Sequence, residues 1–164
     1  MLKKTYEKQS ELEFVSIEEL VPGDHLLRKV DRVIDFEFIR EKVRDLYCAD
    51  NGRPAIDPVV LFKMLFIGYL FGIRSERQLV KEVEVNLAYR WFLGFSLRDK
   101  VPNHSTFSKN RQRRFRESGI YQDIFDEIVL QAVRRKMVDG KVLYTDSTHL
   151  KANANKNKFK KAKV

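Results

Sequence analysis

The carboxylate best placed for chemistry is Asp146, which directly follows a short run of strand-forming residues. Residues 141–145 are rich in β-branched and aromatic side chains. A carboxylate just past a hydrophobic strand can bind Mg²⁺, which prefers oxygen ligands and usually takes several carboxylates. Two such ions can activate water and stabilise the leaving oxygen in phosphoryl transfer. Taken alone, an aspartate at a strand end is more often a turn former, and His149 is better interpreted as a surface residue than as a ligand.

A second set of residues suits phosphate binding and lies on a predicted helix over residues 105–116. On a helical wheel Phe107 and Phe115 share one face, while most of the polar and basic residues lie on the other. Such a helix can dock on a core and present cations to DNA, and Gln or Arg can also hydrogen bond to base edges. A solvated face on a basic protein explains this helix equally well, but further cations just upstream favour DNA. The predicted DNA-binding residues here are Arg98, Lys100, Lys109, Arg111, Gln112, Arg113, Arg114 and Arg116. Of these, Arg111 and Arg114 lie nearer the apolar face.

The segment after Asp146 contains lysines and no acidic residue. Lys151, Lys156 and Lys158 are predicted to follow DNA phosphates, an interaction that weakens steeply with salt. The last few residues are interpreted as a disordered, solubilising tail.

Composition narrows the class of protein. The 164 residues carry 32 Lys plus Arg against 23 Asp plus Glu, a formal charge of +9, which favours polyanionic partners such as duplex DNA. Cys48 is the single cysteine, so no internal disulfide forms and a cytoplasmic location is expected; an association with the nucleoid is expected only because DNA is the predicted partner. The longest apolar run, residues 59–71, is too short to span a membrane. Neither a zinc-ligand spacing nor a phosphate-cradling glycine loop is present, and no small-molecule substrate is expected.

Helix-start signals recur along the chain. Ser16 and Ser75 each have Glu or Gln three residues later, which is a capping box, and Asp57 precedes a proline at the first helical position. The helix after Asp57 is apolar nearly all round and is predicted to be central. Apolar spacing predicts further helices over residues 36–47 and 121–132.

Two short helices on either side of Asn86 form a helix-turn-helix candidate. The fold class is therefore predicted as mainly α, a helical bundle with helix-turn-helix-like elements followed by a first β-strand. Since a lone strand cannot stand by itself, a second domain is expected to begin near residue 141. The predicted organisation is a flexible segment over 1–15, a helical DNA-binding domain over 16–140, and the start of a catalytic domain with a basic tail over 141–164.

Several short motifs, in collinear order, resemble those of bacterial insertion-sequence DDE transposases. They are LVPGDHLLR (20–28), DNGRPAIDPVV (50–60), YLFGIRS (69–75), YRWFLG (89–94), HSTF (104–107) and YTDSTHLKAN (144–153). The resemblance covers roughly residues 14–159.

This resemblance implies that the helical domain binds the terminal inverted repeats of an insertion sequence. It also implies a following RNase H-like domain that cuts and joins DNA with two aspartates and a glutamate on Mg²⁺. Asp146 matches the first of these aspartates, and Ser147 stands where the family often has glycine. The other two carboxylates have no counterpart before Val164, so we expect no tight Mg²⁺ binding and no transposase activity from this chain alone.

Two alternatives to a DNA-binding transposase fragment remain open from the sequence. The apolar helices over 36–47 and 58–72 could form a homodimer interface, through which a fragment would inhibit full-length transposase. The chain could instead be a stand-alone DNA-binding regulator with a stable fold ending near Gly140.

Overall fold

The computed structural model describes residues 12–47, 55–116 and 118–138, and within these ranges the chain is helical. The α-helices are Ile17–Leu20 (α1), Leu26–Val33 (α2), Phe38–Val43 (α3), Pro58–Leu70 (α4), Glu76–Val85 (α5), Leu87–Leu93 (α6), Ser105–Arg113 (α7) and Ile120–Arg134 (α8), and a 3-10 turn, Arg44–Leu46, follows α3. The mainly α prediction is confirmed. The strand predicted over residues 141–145 lies outside the described residues.

The capping signals in the sequence begin the helices where they were predicted to. Asp57 accepts a hydrogen bond from the Val59 amide at 2.9 Å, and Ser75 Oγ accepts one from Gln78 at 3.1 Å. Ser16 caps α1 in the same way. Asn86 caps α6 by accepting from two amides. Each of these oxygens satisfies a helix-start N–H that has no intrahelical acceptor.

Helix α4 lies at the centre of the bundle, as its apolar sequence predicted. Its buried side chains are Val59, Leu61, Phe62, Met64 and Ile67, and α3, α5 and α6 all pack on it. Lys63 interrupts the apolar run, but its ammonium group has hydrogen-bond partners and is not left as an unpaired buried charge. Its Nζ donates to the Phe92 carbonyl at 3.1 Å and to Asp31 at 3.2 Å, and it lies 4.5 Å from the centre of the Phe92 ring.

The structure adds one helix and corrects two helix boundaries. Helix α2 was not predicted; His25 begins it by accepting from the Leu27 amide at 3.2 Å through Nδ1. Helix α3 starts at Phe38, two residues after the predicted start. Helix α7 ends at Arg113 rather than at residue 116, because the amides of both residues 114 and 115 turn back to the Asn110 carbonyl. Phe115 is nevertheless buried as predicted, 5.5 Å from the Phe62 ring.

Most of the apolar side chains of residues 36–47 and 58–72 are buried in the core. Ile39, Val43, Met64 and Ile67 are each at most 1% exposed. A dimer interface made from these four side chains would require the core to open, whereas Tyr69, Leu70 and Phe71 in the second segment are exposed, so the homodimer hypothesis stays a prediction. Among the described helices, none combines the length and hydropathy that a membrane span requires.

Candidate nucleic-acid interface

An open cleft of about 620 Å³ lies between the end of α4, the start of α5 and one side of α7. Its lining combines apolar side chains of α4 and α5 with polar and basic side chains. Its lining consists of Leu65, Gly68, Tyr69, Ile73, Arg74, Ser75, Glu76, Arg77, Leu79, His104, Ser105, Ser108 and Arg111.

The α5 wall of the cleft is a helix N-terminus with two arginines. The first N–H groups of a helix have no intrahelical acceptor and carry the positive end of the helix dipole. Ser75 Oγ satisfies the amide of Gln78, which leaves the amides of Glu76 and Arg77 directed outwards at the start of the helix. Arg74 and Arg77 are both exposed beside them. Backbone donors and guanidinium groups together suit an anion such as phosphate.

The α7 wall is formed by one row of side chains. Ser105, Ser108 and Arg111 are spaced three residues apart, so they lie on one side of the helix and all three line the cleft. The helix starts beside the same space, where Asn103 Oδ1 accepts from the Ser105 amide at 2.9 Å. The first turns of α5 and α7 therefore open on one cleft.

An ion pair joins the two walls. Arg111 Nη2 lies 2.5 Å from Glu76 Oε1, and the arginine side chain remains 57% exposed. Arg111 was predicted to contact DNA; it lines the cleft, but part of its charge is already matched by Glu76. Within the described part of the chain no carboxylate pairs with Arg74 or Arg77, so these two arginines supply most of the uncompensated positive charge of the cleft.

The remaining predicted residues divide into exposed and internal groups. Lys109, Gln112, Arg113 and Arg116, together with Arg98 and Lys100 on the preceding loop, are exposed. Arg114 is half-buried instead: it donates to Asn110 Oδ1 at 2.5 Å and lies 4.5 Å from the centre of the Tyr47 ring. Burial raises the pKa of the Tyr47 phenol. Arg114 thus covers a half-buried aromatic ring, which leaves its guanidinium less accessible than those of the exposed cations.

Some predicted positions cannot be located. Asp146, Lys151, Lys156 and Lys158 lie outside the described residues. Within residues 12–47, 55–116 and 118–138 there is no cluster of three or more His, Cys, Asp or Glu side chains that could hold a metal ion.

The loop that carries Arg98 and Lys100 is held by a buried arginine that sequence reasoning missed. Arg90 is 4% exposed; its Nε donates to the Ser96 carbonyl at 3.1 Å and its Nη2 to the Asp99 carbonyl at 2.7 Å. Asp99 in turn accepts from the Ser96 amide at 2.7 Å, and these contacts with Ser96 lower its pKa. The arginine therefore fixes the turn that displays two of the predicted DNA-binding cations.

The pair of helices around Asn86 has the predicted break, but its second helix faces the core. Ala88, Tyr89, Arg90, Phe92 and Leu93 of α6 are buried. Trp91 is half-buried, and the Arg28 guanidinium carbon lies 4.5 Å from the centre of its ring. The indole N–H of Trp91 donates to Glu18. A recognition helix must expose side chains to a groove, so helix-turn-helix binding through α6 stays an unsupported prediction.

Arg74, Arg77 and Tyr69 line the cleft but are not among the predicted DNA-binding residues, although Tyr69 and Arg74 belong to the YLFGIRS motif. The capping box at Ser75 was a usable signal, because it marks Arg74 and Arg77 as flanking a helix N-terminus. Their proximity to α7 could not be foreseen, since it joins segments about thirty residues apart.

Comparison with known families connects this geometry to a class of protein. The family described as "Transposase domain (DUF772)" matches residues 15–113, which run from just before α1 to the last residue of α7 and include both walls of the cleft. No curated protein and no solved structure matches the chain. Because the match covers more than half of the sequence, the chain belongs to the DUF772 transposase domain family.

Proposed function

We propose that this domain binds the DNA ends of a mobile element for transposition, with the cleft and the exposed side of α7 against the duplex. The observation that carries the proposal is that two helix N-termini converge on one open cleft together with Arg74 and Arg77, which have no acidic partner among the described residues. The family match supplies the connection to transposition.

The cleft is suited to the sugar–phosphate backbone rather than to base edges. Phosphate oxygens accept hydrogen bonds from backbone N–H groups at helix starts and from arginine forks. Both kinds of donor are available at Arg77, and Ser105 and Ser108 add hydroxyl donors from the opposite wall. Contacts of this kind fix the register of a protein on DNA without reading its sequence.

Sequence reading is assigned to the solvent-facing side of α7. Lys109 and Gln112 are exposed next to the row that lines the cleft, and Arg113 is exposed further round the helix. Glutamine can bond adenine through two hydrogen bonds, and arginine can bond guanine in the same way. With the cleft on a phosphate, this side of α7 is the nearest surface able to reach a groove.

The deciding experiment measures affinity for a duplex from the DNA flanking the gene against a shuffled duplex of equal composition, at low and moderate salt. We expect the flanking duplex to bind more tightly and to keep that preference as salt rises, since base contacts are less salt-dependent than phosphate contacts. Equal binding of both duplexes, lost together with salt, would show a nonspecific cationic surface and would refute the proposal.

Charge reversal in the cleft tests where the DNA lies. Arg77→Glu should weaken duplex binding for all sequences and lower the slope of log affinity against log salt by about 1, the loss of one phosphate contact. The matched control is Lys42→Glu, an exposed cation on α3 that does not line the cleft. Equal effects of the two substitutions would show that only net charge matters and would remove the cleft from the interface.

Two substitutions on α7, one of a charged residue and one of a neutral residue, separate phosphate contact from base reading. Arg113→Glu should weaken binding, and Gln112→Ala should reduce the preference for the flanking duplex more than it reduces total affinity. Unchanged affinity and preference in both variants would exclude α7.

The resemblance of residues 144–153 to DDE transposases adds two parts to the proposal. Asp146 would be the first carboxylate of a Mg²⁺ site, and Lys151, Lys156 and Lys158 would follow phosphates. Asp146→Asn should therefore leave duplex affinity unchanged. Replacing the three lysines with glutamine should lower the salt slope but leave the preference for the flanking duplex intact.

A further inference from the structure

An apolar stripe runs along the outer side of α8. Phe125, Val129 and Val133, spaced four residues apart, are 60%, 40% and 44% exposed, and the adjacent Leu130 is 42% exposed. The opposite side of the helix, with Ile120 and Ile124, is buried in the core. Four large apolar side chains exposed in a continuous row are unusual for a solvated helix face and mark an interaction surface. Nothing in the described part of the chain covers them.

The charges beside the stripe are arranged unequally along the helix. Asp123 and Asp126 lie in its first half, and Arg134 lies at its end. Asp123 and Arg134 are eleven residues apart, about three turns, so they flank the stripe on the same side. A matching surface must therefore offer a cation opposite the start of α8, an apolar row opposite its middle, and a carboxylate opposite its end.

We propose that the occupant is the α8 stripe of a second copy of this chain, packed antiparallel about a two-fold axis near Val129. Val129 is the midpoint of the row, because Phe125 and Val133 stand four residues before and after it. In this arrangement the two Val129 side chains meet, and Phe125 of each copy meets Val133 of the other. Such a symmetric pairing is the commonest way in which identical chains associate.

Charge complementarity selects the antiparallel orientation. In an antiparallel pair the same flank of each helix faces its counterpart. Arg134 of the second copy then lies level with Asp123 and Asp126, offset along the helix axis by about 1.5 and 3 Å respectively. Parallel pairing would instead bring the acidic residues of the two copies to one level on opposite flanks of the contact, and no acid–base pair would form along the stripe. This surface is distinct from the cleft, and the proposal does not depend on DNA binding.

Cysteine crosslinking of the full chain tests the geometry directly. Cys48→Ser removes the native thiol, and Val129→Cys in that background places a thiol at the two-fold axis. A disulfide requires Cα atoms within about 7 Å, which two facing helices meet at Val129. The matched control is Gln122→Cys in the same background, at an exposed position of the same helix whose two copies would stand about 21 Å apart along the axis. We expect rapid covalent dimer formation by the first variant only. Equal crosslinking of both, or of neither, overturns the proposal.

Analytical sedimentation of the chain in the absence of DNA tests whether the charges beside the stripe stabilise the dimer. Arg134→Asp should raise the dimer dissociation constant about tenfold, because two symmetry-related contacts become repulsive. Adding Asp123→Arg should restore most of the lost affinity, whereas a merely structural role of either residue would make the double variant worse than the single. A chain that stays monomeric into the high micromolar range, or a charge swap that fails to restore association, overturns the proposal.

Discussion

Arg90→Met probes how the loop before α7 is held. The arginine makes three hydrogen bonds to two carbonyls, those of Ser96 and Asp99, and is 4% exposed. Hydrogen bonds from a charged donor contribute about 1.5–3 kcal/mol each. The sum overstates the loss, because both carbonyls belong to exposed residues and can regain water, and because methionine avoids the desolvation of a buried charge. We therefore expect a net loss of about 2–3 kcal/mol in the free energy of unfolding.

The assay is urea unfolding of the full chain followed by circular dichroism, with thermal unfolding beside it. A loss of that size should lower the melting temperature by roughly 5–10 °C for a chain of this length. Arg98→Met is the control, since it removes an exposed arginine from the same loop and should change stability by less than about 0.5 kcal/mol. If Arg90→Met were equally silent, the hydrogen bonds of Arg90 would not stabilise the loop, and its proposed role would be refuted.

Two further predictions concern local contacts. Hydrogen bonds from Arg28 and Trp91 lower the pKa of Glu18, so the contact that it provides is complete above the ordinary glutamate pKa and is lost as pH falls through the lowered value. Fluorescence of Trp91, the single tryptophan, should report that acid transition, and Glu18→Gln should abolish it; a transition that persists in the variant would contradict the assignment. Asp57→Ala should destabilise the chain by about 1–2 kcal/mol, because it removes a helix cap and a bidentate arginine contact. Glu41→Ala, which removes only an exposed 3.8 Å ion pair, should cost almost nothing, and equal losses in denaturant titrations would refute the capping argument.

Much of the helix pattern could be predicted because its causes are local. Ser75 and Asp57 cap helices through bonds to amides two or three residues away, so the sequence itself contains both partners. Helix α2 escaped prediction because its cap is a histidine, which is not among the usual capping residues. The end of α7 was placed too late because its turn depends on Phe115 reaching the core, where it packs on Phe62 and Tyr121.

The sequence by itself determined the helical class, the central position of α4, and a set of collinear short motifs that resembles those of transposases. Only the tertiary structure decided which cationic side chains are held by contacts within the chain and which are exposed to solvent. Arg111 and Arg114 are three residues apart, yet one is paired with Glu76 across the cleft and the other covers Tyr47. The tertiary structure also places Arg77 beside α7 and leaves the apolar stripe of α8 exposed. The physical reason is distance along the chain: Arg111 and Glu76 are 35 residues apart, and only the packing of the helices between them sets which side chains meet.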